Sequence, residues 1–421
     1  MSIHWGGRGA GHVSRWSLAT TGAPALSLNF LSGTLDSRIT FTRGTTATFV
    51  GSNGLIQSAA INTPRFDYDP VTLAPKGLLI EEARTNLLLR SEEFDNATWA
   101  KSAFATVTAN TTSAPSGATT ADTLAANTAT TANPAEVFQA QTLAINTQYA
   151  YSMFAKKNTS NFIALRHTAV LGNPYAWFNL NTGTVATVQA GLTATITPFE
   201  NGWYRCTVVG TTAAVIAVNR VDALVSDNDG NFVCASGGSI FLYGADLEAG
   251  AFATSYIPTV AATVTRNADL ASMTSTNFSS WYNAAQGTFV VSADTFVPES
   301  AFPHVFSVSD GTAAETIFSR YVAGSSYVVT DNSSNQAVFS LTSPAANVPQ
   351  TRATAFAAND FAVSVSGGAV QTDTSGSIPT VDRMFIGAKP NGSSEFINGH
   401  IRSIAYYKTR LYNSQLQTLS Q

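Results

Sequence analysis

Charge is what this sequence has least of. Only 11% of its 421 residues are Asp, Glu, Lys or Arg, less than half the roughly 25% of an ordinary soluble domain. Lysine is scarcer still, with none between Lys157 and Lys389. The net balance is only −4. A dedicated nucleic-acid binder carries a basic surplus, so none is expected here. A disordered chain combines high net charge with few apolar residues, whereas 44% of this chain is hydrophobic. No apolar run approaches the roughly 18 residues that span a bilayer, so membrane insertion is not expected. The opening MSIHWGGRGAGHVSRW lacks an apolar run followed by small residues, and is not read as a secretory signal. Cys206 and Cys234 are too few for a disulfide framework or a four-ligand zinc site. They either pair with each other or stay as buried free thiols, and lone cysteines commonly fill cores.

What replaces charge is small and neutral: Ala, Thr, Ser, Asn and Gly. At roughly 100–200 residues per domain, the length predicts two or three domains. Short alternating runs recur at Thr40–Val50, Tyr149–Lys156, Ile163–Thr168, Trp203–Val209, Ser239–Tyr243, Gly287–Val297, Tyr327–Thr330 and Ile401–Tyr407. Between them lie turn signals such as Ser52-Asn53-Gly54, Asp229-Gly230 and Pro390-Asn391-Gly392. Many short strands punctuated in this way predict β-sandwiches. The fold class expected is all-β: two consecutive β-sandwich (jelly-roll) domains preceded by an irregular N-terminal attachment region. Helix is expected only over Leu79–Leu89 and over Asn413–Ser420, where Leu416 and Leu419 share a face and Asn413 is placed to cap. Charge divides the chain into zones of net +3 (1–90), −5 (91–258) and −2 (259–421).

Segments Ser27–Leu35, Thr40–Phe49, Gly54–Ile56, Asn62–Pro70 and Gly77–Leu88 together resemble, in order and spacing, a module of tailed-bacteriophage virion proteins. That module occurs in tail fibres, tail spikes and head fibres. Beside this resemblance, Arg65, Asp67, Asp69, Glu81, Glu82 and Arg84 concentrate charge and are read as ion pairs fixing a turn-rich segment. Asn86–Trp99 together with Ile240–Gly250 and Ser255–Thr259 looks like a carbohydrate-binding-module-like jelly roll. The closing pattern Phe385–Ala388 with Phe396–Tyr407 resembles a concanavalin-A-like, laminin-G-type lectin sandwich. The expected division is therefore a docking peptide (1–26), an attachment module (27–90), a jelly roll (91–258), a connector (259–285) and a lectin sandwich (286–421).

Sugar binding needs exposed aromatic platforms and paired polar side chains. Trp99, Tyr175 and Trp177 are the carbohydrate-binding candidates, with core packing as the competing role. Calcium needs several oxygen ligands. The jelly-roll resemblance implies a structural calcium held by Glu92 or Glu93 with Asp246, and no other cofactor. The acidic run Asp227-Asn228-Asp229 is read as a solvated hairpin tip. No metal-spaced His pair, GxSxG elbow or P-loop is present, so no enzyme is expected. The segment 4–16 holds Trp5, Arg8, Arg15 and Trp16 among four glycines. Such anchors dominate interface hot spots, and the segment is read as a peptide that docks on the particle.

Taken with the resemblance, these features imply a non-enzymatic appendage on the virion exterior, with lectin-like domains for host-surface glycans. Its implied partners are capsid, portal/tail or baseplate proteins and a homotrimer of itself. A head fibre or capsid decoration protein, and a polysaccharide depolymerase, are the alternatives.

Overall fold

The computed structural model describes residues 22–216, 218–296, 302–322 and 324–421. The docking candidates Trp5, Arg8, Arg15 and Trp16 lie outside the described residues. Within them the regular secondary structure is almost wholly antiparallel strand, and the sheets pack as two sandwiches.

The jelly roll consists of two six-stranded sheets. The first runs, in spatial order, Leu192–Pro198, Trp203–Thr211, Gln148–Lys157, Ser239–Ala249, Ala121–Ala126, Ala105–Thr112. The second is centred on Phe162–His167 and Arg220–Ser226. Alternation places Tyr149, Tyr151, Met153 and Ala155 in the core between the sheets, which leaves Ala150, Ser152 and Phe154 on the outer face. Cys206 and Cys234 belong to this core and are free thiols.

The other sandwich faces a seven-stranded sheet with an eight-stranded one. Its strands do not come only from the C-terminal part. Leu26–Asn29 and Pro75–Ile80 both pair with Gly399–Tyr407, and Phe66–Tyr68 pairs with Pro75–Ile80. In the opposite sheet Thr40–Thr42 pairs with Leu270–Thr274. Leu26, Phe30, Phe41, Leu78 and Ile80 share one core with Phe289, Phe306 and Tyr406. Segments expected as a separate attachment module (27–90) and a connector (259–285) thus supply strands to the C-terminal sandwich. The jelly roll is an insertion into it, and Arg84–Asn86 pairing with Val264–Arg266 forms the stem. Composition along the chain is blind to such non-local pairing, which is why charge zones drew different borders.

The helix expected over Leu79–Leu89 is instead the end of Pro75–Ile80 followed by Arg84–Asn86. Leu78, Leu79 and Ile80 are all buried in the sheet, and a short apolar run has no period that separates strand from helix. Gly77 is required there: at φ +113° a Cβ would lie 2.3 Å from the Ile401 carbonyl oxygen. A terminal helix does form, Asn413–Leu419, with Leu416 buried. Its cap is Tyr412, not Asn413: the Tyr412 N–H donates to Gln415 Oε1 at 2.9 Å. Of the six charged residues expected to form ion pairs in the N-terminal segment, four do so within it, whereas Asp67 meets His400 and Asp69 accepts from the nearby Val71 and Thr72 N–H groups. Arg65 meets Glu81 at 2.8 Å and Arg84 meets Glu82 at 2.6 Å.

Candidate functional site

The outer face of the first jelly-roll sheet is defined by strand register. Three cross-strand rows lie on it: Thr193–Val209–Ala150–Glu248, Thr195–Thr207–Ser152–Asp246 and Thr197–Arg205–Phe154–Tyr243. The acidic end is covered. Glu248 accepts from the Thr254 N–H at 2.7 Å, and Asp246 accepts from the Ile257 N–H at 3.0 Å. Burial, reinforced by Glu248, pushes Asp246 well above the usual carboxylate range; burial raises Glu248 too.

The threonine end is open. It floors a cleft of about 400 Å³, walled on one side by Tyr68 and Lys76, on another by Phe252 and Thr254, and closed by Phe296 and Asn347. Thr193, Thr195 and Thr197 are exposed. Among the described residues, their hydroxyls and that of Thr207 make no hydrogen bond. Residues two apart on a strand are about 7 Å apart, and neighbouring strands about 4.8 Å, so the floor is a lattice of free donors and acceptors. Tyr68, Phe252 and Phe296 are partly exposed around it. Free hydroxyls beside aromatic faces suit a polyol with apolar C–H surfaces.

The two carboxylates that line the cleft are already engaged. Asp67 accepts from the Val50 N–H at 2.7 Å, and its other oxygen lies 3.0 Å from His400 Nε2. Glu81 accepts from the Ser255 N–H and Oγ–H, both at 2.7 Å, and meets Arg65. Burial would raise its pKa, but Arg266 and Arg65 outweigh that and hold it at about 2.

The residues singled out from sequence lie elsewhere. Trp99 is fully buried, packed on Phe94 at 5.0 Å, and its Nε1–H donates to the Arg90 carbonyl at 2.9 Å. It is a core residue. Tyr175 and Trp177 share the outer face of the second sheet, as alternation predicts, but Phe232 packs on both, at 5.2 and 6.1 Å. Trp177 is only 1% exposed. The charges beside them, Arg166, Arg220, Glu136 and Asp222, pair with one another.

Glu92, Glu93 and Asp246 are not brought together as calcium ligands. Glu92 accepts from the Tyr243 and Tyr256 hydroxyls at 3.0 and 3.1 Å, Glu93 pairs with Arg90, and Asp246 sits beside Glu248. Among the described residues no group of three or more His, Cys, Asp or Glu is placed to hold a metal. The Asp227–Asp229 tip is stitched down by protein donors, Ala235 N–H to Asp227 and Thr187 N–H to Asp229.

The cleft itself was missed. Its floor had a signal, the alternating Thr193-Ala194-Thr195-Ile196-Thr197. Its walls had none, because they come from segments that meet only through the insertion.

Sheets and cleft together define the class: an all-β chain with a jelly roll inserted into a second β-sandwich. Among solved structures it is similar to the CBM40 module of the Ruminococcus gnavus IT-sialidase bound to α2,6-sialyllactose (18% identity, TM-score 0.29, covering 33% of this chain and 85% of that one). It is also similar to domains LG4-5 of the mouse laminin α1 chain (11% identity, TM-score 0.22, 65% and 86%). A third is the Trypanosoma rangeli sialidase in complex with sialic acid (10% identity, TM-score 0.28, 71% and 60%). No protein-family model and no curated protein matches the sequence.

Proposed function

We propose that this chain is a non-catalytic, glycan-binding appendage of a tailed-phage virion. The observation that carries glycan binding is the open cleft, with its free threonine hydroxyls and aromatic rims. The virion assignment rests on the sequence resemblance of the segments between Ser27 and Leu88. Single sites of this kind bind weakly, and several copies on one particle would add avidity. Absence of catalysis is favoured by the engaged state of Asp67 and Glu81, since most glycoside hydrolysis uses two available carboxyl groups.

Replacing Thr193, Thr195 and Thr197 together by valine removes three hydroxyls with little change of shape. With about 0.5–1.5 kcal/mol per hydrogen bond, affinity for any glycan found on an array of the full chain should fall about tenfold or more. Thermal stability should hold. Unchanged affinity would remove the cleft from the proposal. Release of oligosaccharide from host capsule or lipopolysaccharide would replace a binding protein by a depolymerase.

Particle imaging is expected to place the protein at tail sites. Density confined to the capsid lattice would make it a head fibre or decoration protein instead.

A further inference from the structure

The charges around the cleft are not symmetric in how they are used. Its two carboxylates, Asp67 and Glu81, have both oxygens committed to protein donors. Its two cations are not neutralised in the same way. Lys76 is half-buried, its ammonium 5.8 Å from the centre of the Phe296 ring; among the described residues it makes no hydrogen bond or contact ion pair, and Asp69 and Asp294 act on it only at longer range. Arg205 is held in place by neutral acceptors, the Thr254 carbonyl at 2.6 Å and Ser152 Oγ at 2.9 Å. Its nearest carboxylate is Asp246, 3.9 Å away, which burial and Glu248 bias toward the uncharged form.

We propose that the cleft selects glycans bearing an anionic group (carboxylate, sulfate or phosphate), which Lys76 and Arg205 receive while the threonine hydroxyls orient the sugar. This rests on the reading of the cleft as a glycan site and adds the ligand's charge to it. A cation without a contact ion pair in a partly enclosed site attracts an anion far more than one in open water. The lysine is the adaptable point charge, and the guanidinium, already fixed by two neutral acceptors, is pre-oriented. The chain as a whole is acidic, net −4, so its overall field opposes polyanions. Retention of one is then a property of this site, not of general electrostatics.

The full chain tests this on biosensor tips carrying acidic polymers and their uncharged counterparts. The pairs are polygalacturonate and its carboxyl-reduced form, dextran sulfate and dextran, and polyribitol phosphate and ribitol-terminated neutral glycan. At least one acidic member should bind about tenfold more tightly than its counterpart, and which member does so distinguishes the three anions. That margin should shrink as salt rises, since partly exposed charges are screened. Lys76→Gln should abolish the margin and Lys76→Arg should restore most of it, with the same melting temperature in both. Equal binding of acidic and neutral members, or a margin unmoved by Lys76→Gln, overturns the charge selectivity and leaves the glycan reading standing. Binding of neither member in any pair overturns both.

Discussion

Asp269→Ala is expected to destabilise the protein by about 3–5 kcal/mol, the cost typical of breaking a buried ion network by removing one partner. Asp269 accepts from Arg43 Nη1 at 3.0 Å, from Arg65 Nη2, and from the Glu81 N–H at 3.0 Å. Arg266 stands 3.6 Å from Glu81 in the same cluster. All these side chains are buried. Three guanidinium groups thus face two carboxylates, and removing Asp269 leaves three around Glu81 alone. Burial disfavours the charged form of Arg65, yet Asp269 and Glu81 outweigh it and raise its pKa. The matched control is Asp36→Ala, which breaks a partly exposed pair with Arg38 and should cost about 0–1 kcal/mol. Urea midpoints of the two variants against the parent decide it. Similar small losses would mean that the cluster relaxes by admitting water, and the argument from desolvation would fall.

His400→Ala is the second large effect, again about 3–5 kcal/mol, and it carries a pH signature. The imidazole is buried between two acids: Nδ1 lies 2.8 Å from Asp294 Oδ1 and Nε2 lies 3.0 Å from Asp67 Oδ2. Arg402 is 3.7 Å from the other oxygen of Asp294. Burial and Lys76 work against the imidazolium, but Asp294 and Asp67 outweigh them and raise the pKa above 6.5. A raised folded-state pKa gives stability that is fully present below 6.5 and lost as pH rises through the folded value. Asp294 is shifted the other way: burial opposes, His400 dominates, and its pKa falls below 3.8. Its contribution is present above 3.8 and lost as pH falls through its folded value. The pair should therefore stabilise most between about pH 4 and 6.5 and weaken on the alkaline side. Urea midpoints from pH 5 to 9 should fall for the parent and change less for the variant. Parallel profiles would contradict a charged His400.

How much of this could be read from the sequence depends on the range over which each feature is encoded. The strand at Tyr149–Lys156 announces itself because alternation is local, and the structure extends it by only one residue at each end, Gln148–Lys157. The charged residues between Arg65 and Arg84 could be recognised as structural ion pairs because charge is rare elsewhere. Asp269 and Arg266, their partners, could not, since they arrive from beyond the inserted jelly roll. The same holds for the candidate site. Tyr175 and Trp177 do share an outward face, but Phe232, some 55 positions on, covers it. The cleft's floor is one strand's pattern, whereas Lys76 and Phe296 reach it from opposite sides of the insertion.

The strand Gly399–Tyr407 pairs with both Leu26–Asn29 and Pro75–Ile80, with Leu28 opposite Ile404. During synthesis at roughly 5–20 residues per second, the first of these strands leaves the ribosome tens of seconds before its partner exists. The inserted jelly roll, whose strands end at Ala249, is complete long before that. The nascent chain therefore carries a finished domain while its flanking strands wait with open edges, the arrangement most exposed to wrong pairing with neighbouring chains. A premature stop ahead of Gly399 would leave both Leu26–Asn29 and Pro75–Ile80 without the strand they pair with.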